Sequence, residues 1–394
     1  MKIQALILLL ICLFGWCWVA TAQVRGFAGF GSTTPGGNNG VVVVVTSLED
    51  TGPGTLREAL DGGNNRRIIF GVGGTITLHN RLNIEGQSFI TIDGATAPAP
   101  GITLTGNTLN IRNSHDIIVT HLRVRHSVGD NISVSNGSSN IIIDHCSLTN
   151  AGDENIGITE GTTNVTVSWC LIGDTRPVSP DLHTKGMLIA NFKQPPVTRV
   201  SLHHNLFVNA FQRSPQISTP GLFDLRNNVI WNWGAYGIRM RNGVWANIIN
   251  NVLDSATKPH RAIILVADGV RDASYIYIQG NQGPKGTDVN ALSTLAAPFP
   301  VARVTTDPVT EVKQKVVQMA GAFPRDKLDM SLAKSVMATP SGATNAAAVG
   351  RTLPTAAPSG VDGSAQDMHG DAVDAKQGIA DEATAEPELP ANDP

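Results

Sequence analysis

The stretch IIIDHCSL at residues 141–148 decides the fold, because its pattern returns four more times along the chain. The further copies are VTVSWCLI (165–172), VSLHHNLF (200–207), FDLRNNVI (223–230) and ANIINNVL (246–253). Each copy alternates β-branched and polar residues, turns at a small or amide side chain, and resumes with an apolar residue. Aligned at the turn, successive copies are 24, 35, 23 and 23 residues apart. Such a period is typical of stacked repeats, and the composition predicts that each repeat is a coil of short parallel strands.

The turn position of the five copies forms one predicted column. Its members are Cys146, Cys170, Asn205, Asn228 and Asn251. Asn tolerates the left-handed backbone of a sharp corner, and stacked amides can donate to one neighbour and accept from the other. A second, apolar column should point inward. It comprises Leu148, Ile172, Phe207, Ile230 and Leu253. We therefore predict an all-β protein, a right-handed parallel β-helix (a solenoid), with the handedness taken from the rule for parallel crossovers. The alternative is a β-sandwich whose segments resemble one another by chance.

The segments that flank the repeats are predicted to close and cover the solenoid. TLRE at 55–58 has the form of a capping box and predicts a short N-terminal helix that plugs the open end. Residues 309–337 have an amphipathic helical pattern and should pack back on the barrel. The rung between Cys170 and Asn205 carries extra residues, which we expect to form a loop on the working face.

The two ends of the chain differ in composition from its middle. Residues 1–22 combine Lys2, an apolar run and a small-residue cleavage site, the features of a secretory signal peptide, with an uncleaved N-terminal anchor as the alternative. Residues 23–337 form the predicted β-helix domain. Residues 338–394 are rich in Ala, Pro, Gly and acidic side chains, and we predict a disordered acidic tail.

Net charge and cysteine content limit the partners of this chain. Its 394 residues carry a net charge of −3 and are 15% charged, so the composition gives no reason to expect a nucleic-acid partner. We expect a secreted monomer without membrane contact after signal cleavage. Cys146 and Cys170 remain in the mature chain, one rung apart. They could bond in an oxidising compartment, or stay as stacked buried thiols, because neighbouring strands are spaced more widely than a disulfide usually bridges.

Acidic and basic side chains near the turns are the candidates for chemistry. Asp130 precedes the Asp153-Glu154 pair by 23 residues, about one rung, so these acids should lie close together on the outer surface. Converging carboxylates suit a hard cation such as Ca²⁺, and the alternative is a set of solvated acids at turns. Arg213, in an Arg-Ser-Pro sequence, and Lys185, in the long insert, are candidate ligands for an anionic group bridged by the metal. Taken singly, each basic residue would be an ordinary surface charge.

An ordered series of motifs resembles the pectate lyases of polysaccharide lyase family 1. In chain order the motifs are GFGSTTPGGNNG, GTLREAL, RIIFGVGGTITL, TIDGATAPAPGI, LRVR, IDHCSL, DE, VTVSWCLI, HTKGMLIA, HHNLF, RSP and LRNNVIWNWG. Together they cover roughly residues 24–337. The resemblance implies a right-handed parallel β-helix, secretion, and calcium-assisted β-elimination of polygalacturonate (pectate), an acidic polysaccharide of the plant cell wall.

The resemblance also implies a role for each site residue. Asp130 and Asp153 match metal-binding acids, with Glu154 beside them as a helper. Arg213 matches the arginine thought to remove the C5 proton of the uronate, and Lys185 matches a lysine that contacts the substrate carboxylate. Calcium that bridges this carboxylate to the protein would acidify the C5 proton. Because arginine is normally always protonated, Arg213 could instead stabilise the enolate while another group takes the proton.

Two positions depart from the family pattern. Many relatives have an acid two residues before Asp130, where this chain has Val128, and often a second basic residue after the Arg-Ser-Pro motif, where Gln216 and Ser218 stand. Weaker calcium binding and a methyl-esterified pectin substrate therefore stay open. So do two other functions. One is a β-helical glycoside hydrolase acting on pectin, with Asp130 and Asp153 as its paired acids, and the other is a non-catalytic polysaccharide-binding β-helix.

Overall fold

Three long parallel sheets run along the axis of the solenoid. The computed structural model describes residues 26–174, 176, 184–193, 195–255, 261–265, 274–284 and 287–337. Within them the chain winds through about nine turns, and its strands pair in parallel within sheets of ten, eight and eight strands. The predicted parallel β-helix is confirmed. The predicted signal peptide and acidic tail lie outside the described residues.

Each complete turn contributes one strand to each sheet. Strands are numbered β1 to β26 in chain order. Sheet A contains β1 (Val41–Val45), β2 (Arg66–Phe70), β5 (Ser88–Asp93), β8 (His115–Thr120), β11 (Ser139–Asp144), β14 (Thr163–Ser168), β17 (Thr198–His203), β20 (Gly221–Arg226), β23 (Val244–Ile249) and β26 (Tyr275–Gln279). Sheet B contains β3 (Gly74–Thr77), β6 (Ile102–Gly106), β9 (Arg123–Ser127), β12 (Ser147–Thr149), β15 (Leu171–Gly173), β18 (Leu206–Val208), β21 (Val229–Trp231) and β24 (Val252–Asp254). Sheet C contains β4 (Leu82–Glu85), β7 (Leu109–Arg112), β10 (Ile132–Ser135), β13 (Glu154–Thr159), β16 (Lys185–Ala190), β19 (Gln216–Ser218), β22 (Ile238–Arg241) and β25 (Ile263–Leu265).

The amide column forms a hydrogen-bonded ladder inside the corner between sheets A and B. Asn205 donates its backbone N–H and its side-chain amide to Oδ1 of Asn228, both at 3.0 Å, and Asn228 makes the same two bonds to Asn251 at 2.9 Å. The ladder runs on to Asn281 and Asn290, beyond the predicted column. Each buried side-chain amide therefore accepts a hydrogen bond from a backbone N–H of the preceding rung. The corner can be fully buried because this N–H has a partner.

The left-handed backbone of this corner lies one residue earlier than predicted. The residues with positive φ are His121, His145, Trp169, His204, Asn227 and Asn250, at φ between 49° and 57°. The residues of the amide column do not have positive φ, so the prediction that they are the left-handed residues of the corner was wrong. The first four of these residues form an outer stack whose ring centroids are 4.2–5.9 Å apart. Aromatic stacking on the outside and amide bonding on the inside thus hold the same corner.

The core is a continuous column of aliphatic side chains. The predicted inward column is confirmed, because its members pair in register across sheet B and are at most 1% exposed. Cys146 and Cys170 are buried free thiols, and the backbone N–H of Cys146 points at Sγ of Cys170 at 3.4 Å. Of the two alternatives for these cysteines, the structure has the stacked thiols.

The N-terminal segment closes one end and covers part of sheet A. Helix α1 (Leu56–Asp61) begins at Thr55, whose hydroxyl accepts from the N–H of Glu58 at 3.2 Å, while the Glu58 carboxylate accepts from Gly54 at 2.6 Å. The predicted capping box is therefore present, except that Glu58 binds the backbone N–H of Gly54, one residue before Thr55. The Gly-rich arm lies against sheet A, and a Cβ on Gly37 would be 1.8 Å from the carbonyl oxygen of Arg66. Only glycine permits this close approach.

Two C-terminal helices, α2 (Val309–Met319) and α3 (Lys327–Met337), cover sheet B, as predicted. Val316 and Leu332 pack on outward-facing apolar residues of this sheet, among them Leu206. Beneath α3, buried Asp329 accepts from Arg125 at 2.6 Å, which fixes the helix to the barrel. None of the helices in the described ranges has the length and hydropathy required to span a bilayer. With sheet B covered and sheet A partly covered, the outward side chains of sheet C remain available to a ligand.

Candidate functional site

Three carboxylates meet where the turns from sheet B enter sheet C. Asp130 lies in the turn between β9 and β10, and Asp153 and Glu154 lie one rung later, at the entrance to β13. One carboxylate oxygen from each lies within 4.8 Å of the others. Oδ1 of Asp130 accepts from the backbone N–H of Glu154 at 3.1 Å, so the later turn orients the earlier acid. The 23-residue spacing therefore does bring these acids together.

A glycine provides the space for Asp130. Gly157 faces outward on β13, beside Ser133 of the preceding rung. A Cβ on Gly157 would lie 2.4 Å from Oδ2 of Asp130, well inside contact distance. Any larger residue at this position would push the carboxylate away from the cluster.

Two cations from the following rungs hold the same acids. Lys185 begins β16 in register with Glu154, and its Nζ lies 2.5 Å from Oδ1 of Asp153 and 3.8 Å from Oε1 of Glu154. Arg213, between β18 and β19, donates from Nη1 to Oε1 of Glu154. The structure thus brings all five sequence-predicted residues into one cluster with three acids and two cations.

Arg213 adopts a left-handed backbone conformation. Its φ is 67°, in the left-handed region that non-glycine residues rarely enter. The peptides on either side are fixed from both neighbouring rungs, because Gly186 donates to Gln212 at 3.1 Å and Ser214 donates to Gly237 at 2.9 Å. Many other non-glycine residues share this conformation at the turns of the coils, among them Arg199, so it belongs to the solenoid and does not by itself mark a functional site.

Burial and neighbouring charges shift the pKa values of the three acids in different directions. Burial, together with the negative charges of Glu154 and Asp153, raises the pKa of Asp130 to about 8. Burial also acts to raise the pKa of Asp153, but the hydrogen bond and charge of Lys185 outweigh it and the pKa is lowered. The pKa of Glu154 is raised by burial, although Arg213 opposes the rise. With all three acids ionised, the cluster would hold one more negative charge than its two cations compensate, and a bound divalent cation would favour that state.

A tyrosine and an arginine extend the cluster along sheet C. Gln216 on β19 pairs with Arg239 on β22, and the Arg239 guanidinium lies 5.6 Å from the ring centroid of Tyr236. The Tyr236 hydroxyl donates to Gln216. Burial raises the pKa of Tyr236, against the opposing charge of Arg213. The sequence reasoning missed both residues, although the 26-residue step from Arg213 to Arg239 approximates the repeat and could have revealed the arginine.

The two departures from the family pattern have structural consequences. Val128 is 78% exposed in the turn that carries Asp130, so an apolar side chain stands where a further acid was expected. Ser218 is half-buried and pairs with Arg241 on the next rung. A basic residue therefore lies one rung after the position at which the sequence lacks one.

Curated sequence relatives align with more than half of the chain. No protein-family model matches it. A probable pectate lyase C of Aspergillus terreus is 30% identical over 253 residues, 61% of this chain and 57% of that protein. A probable pectate lyase C of Emericella nidulans is 36% identical over 235 residues, 58% of this chain and 52% of that protein. The chain thus spans between half and three-fifths of the length of these relatives.

Solved structures share the fold. The major cedar-pollen allergen jun a 1 superposes with a TM-score of 0.63 at 22% identity, covering 75% of this chain and 92% of that one. A pectate lyase from Bacillus sp. N165, solved with trigalacturonate, gives a TM-score of 0.59 at 19% identity, covering 75% of this chain and 99% of that one. These similarities establish the β-helix. In sequence this chain is similar to proteins named probable pectate lyase C, and in fold it is similar to solved pectate lyases.

Proposed function

We propose that this protein is a secreted pectate lyase that cleaves polygalacturonate by calcium-assisted β-elimination. The observation that carries the proposal is the cluster of Asp130, Asp153, Glu154, Lys185 and Arg213 on sheet C, in a chain related to pectate lyases. Carboxylates for a hard cation and cations for a uronate are the two requirements of this chemistry, and the cluster supplies both.

The three acids suit Ca²⁺ by their chemistry. Their oxygens converge within 4.8 Å, and calcium takes oxygen ligands in adaptable geometry. Burial and the neighbouring negative charges raise the pKa of Asp130, so a cation bound between the acids would favour its ionised form. Asp130 and Asp153 would hold the ion with help from Glu154. When bound, calcium would polarise the uronate carboxylate and so acidify the proton at C5.

Lys185 and Arg213 are the groups that act on the substrate. Lys185 would pair with a uronate carboxylate and fix the sugar's position along sheet C. Arg213, released from Glu154, would face the C5 proton and stabilise the charge that develops when this proton leaves. The C5–H bond breaks, its electrons form the C4=C5 double bond, and the C4–O bond breaks. The proton from C5 passes to Arg213 as base, and the departing oxygen takes a proton from solvent.

Proton removal by arginine requires that its neutral form be reached. Guanidinium is normally protonated at all physiological pH values. In the cluster its charge is matched by Glu154, and a cation taking over that carboxylate would remove this stabilisation. The charged form of Arg213 would then lose its main electrostatic stabilisation when the substrate is bound.

The substrate and the location follow from the same proposal. A row of acidic sugars complements the cations on three successive rungs: Lys185 on β16, Arg213 in the turn before β19, and Arg239 and Arg241 on β22. Residues 1–22 would direct the chain out of the cell as a signal peptide, and the mature protein would act as a monomer on plant cell-wall polysaccharide.

One assay tests the function against its alternatives. Purified protein is incubated with polygalacturonate in calcium or in chelator, and the ultraviolet absorbance of the unsaturated product is followed. We expect a rise that depends on calcium. New reducing ends without this absorbance would identify a hydrolase, and binding without either product would identify a non-catalytic polysaccharide-binding protein.

A further inference from the structure

A buried tyrosine hydroxyl lies at the base of the Arg213 turn. Tyr236, from the next rung, is 5% exposed. Its hydroxyl donates to Oε1 of Gln216 and lies 3.3 Å from the side-chain oxygen of Gln212. These two glutamines flank Arg213 in sequence, one residue before it and three residues after it. One phenol therefore connects both ends of the turn that presents the guanidinium.

The hydrogen-bond count at this hydroxyl favours a fixed arrangement. A phenol has one proton and can donate only one bond. It donates to Gln216, the nearer partner. The Gln212 amide can then be turned so that its nitrogen donates to the phenol oxygen, an assignment that heavy-atom positions leave free. With both bonds made, Gln212 and Gln216 are held relative to one another.

Backbone hydrogen bonds from the neighbouring rungs hold the peptides beside Arg213, but the direction of its long side chain depends on the groups packed around the turn. Arg213 lies in the left-handed region at φ 67°, where a side chain with a Cβ is disfavoured. The tyrosine is itself fixed, since the backbone N–H of Ala235 donates to Phe211 at 2.6 Å and Arg239 packs over the Tyr236 ring. The hydroxyl is therefore a rigid point against which the turn is set.

We propose that Tyr236 is a positioning residue for Arg213, which clamps Gln212 and Gln216 through its hydroxyl and so fixes the direction of the guanidinium. This rests on the proposed lyase function. Tyr236 is assigned a positioning role, and the charge of Arg213 lies close enough to its hydroxyl to act on the tyrosine pKa. A misplacement of about 1 Å at a reacting group can lower a rate about 100-fold, so loss of this hydroxyl should affect turnover and leave substrate binding alone.

The test is Tyr236→Phe, which removes only the hydroxyl and keeps the ring beneath Arg239. Tyr277→Phe is a matched control, because the Tyr277 hydroxyl also donates to a glutamine, Gln279 at 2.5 Å, on the distant strand β26. For each variant kcat and KM on polygalacturonate are measured with saturating calcium, together with calcium binding by calorimetry and thermal unfolding. Gln216→Ala, which removes the acceptor and leaves the tyrosine, is the second variant.

We expect kcat to fall between about 10-fold and 100-fold in Tyr236→Phe, with KM and calcium affinity within about twofold of wild type, and Tyr277→Phe to be unchanged. Gln216→Ala should reproduce the fall, and the double variant should add little to either single change. Equal kcat in Tyr236→Phe and wild type would overturn the proposal, as would a loss confined to KM. If Tyr236→Phe does not fold, an unchanged kcat in Gln216→Ala overturns it. A wild-type protein without lyase activity would refute the proposed function itself, and the positioning role with it.

Discussion

Lys185 is expected to compete with the metal, so that removing it should tighten calcium binding in the absence of substrate. Its ammonium lies 2.5 Å from Asp153 and 3.8 Å from Glu154, two of the three carboxylates that would hold the ion. A bound divalent cation would have to share these carboxylate oxygens with the positively charged ammonium of Lys185. The variant Lys185→Met keeps much of the aliphatic side chain and removes that charge.

The size of the effect follows from Coulomb's law. A unit charge and a divalent charge that share one carboxylate, about 5 Å apart, repel by about 2 kcal/mol in water-like surroundings. Such surroundings are appropriate because the Asp153 side chain is 52% exposed. Physiological salt screens part of this energy, and the exposed ion pair itself contributes no more than about 1 kcal/mol. A net gain of about 1–2 kcal/mol corresponds to calcium binding that is roughly tenfold tighter.

Isothermal titration calorimetry of the metal-stripped protein with CaCl₂ measures this directly. Lys193→Met is the control, since Lys193 is exposed beyond the opposite end of the same strand, β16. The control should bind calcium as wild type does. Unchanged or weaker calcium affinity in Lys185→Met would refute the reasoning, and would mean that the lysine acts on the substrate alone.

Three further predictions concern the acids, the arginine and the corner ladder. Calcium affinity should rise with pH up to about 8 and level off above it, because the pKa of Asp130 is raised to about 8 and the ion must displace that proton; calorimetry at several pH values should show a slope that Asp130→Asn abolishes. Arg213→Lys should lower lyase turnover at least about 100-fold while the circular dichroism spectrum stays unchanged, and near-normal turnover would remove Arg213 from the reaction. Asn228→Ala should reduce the free energy of unfolding by about 2–4 kcal/mol, because it leaves the backbone of Asn205 without its partner; the urea midpoint measures this, with exposed Asn83→Ala expected to lie near wild type.

The repeat columns could be predicted from the sequence because each reports one local rule. Strand alternation fixed the inward column, and the chemistry of stacked amides fixed the ladder. The left-handed position was misplaced because histidine and tryptophan occupy it in the early rungs, and only the later rungs place asparagine there. Intrinsic preference for this backbone was outweighed by the gain from ring stacking.

The candidate site was only partly accessible from sequence. The 23-residue step relates Asp130 to Asp153, because both rungs have the regular length. Lys185 and Arg213 were singled out as candidate ligands for an anionic group, but their individual roles came from the resemblance, since the long insert between Cys170 and Asn205 obscures their register. Tyr236 gave no signal at all, because a single aromatic residue in a turn has no periodic partner. Its role depends on the geometry of neighbouring rungs, which the period alone does not specify.

The ladder of side-chain amides has a consequence for how such a chain can change in length. Asn205, Asn228 and Asn251 are bonded in sequence, each to its counterpart 23 residues on. Deleting one residue within a strand would shift the rest of that strand to the opposite face of its sheet, whereas excising one whole coil would let Asn205 meet Asn251 directly. Growth and shrinkage of this architecture should therefore be quantised in complete coils, with smaller insertions accommodated only in the loops that leave the barrel.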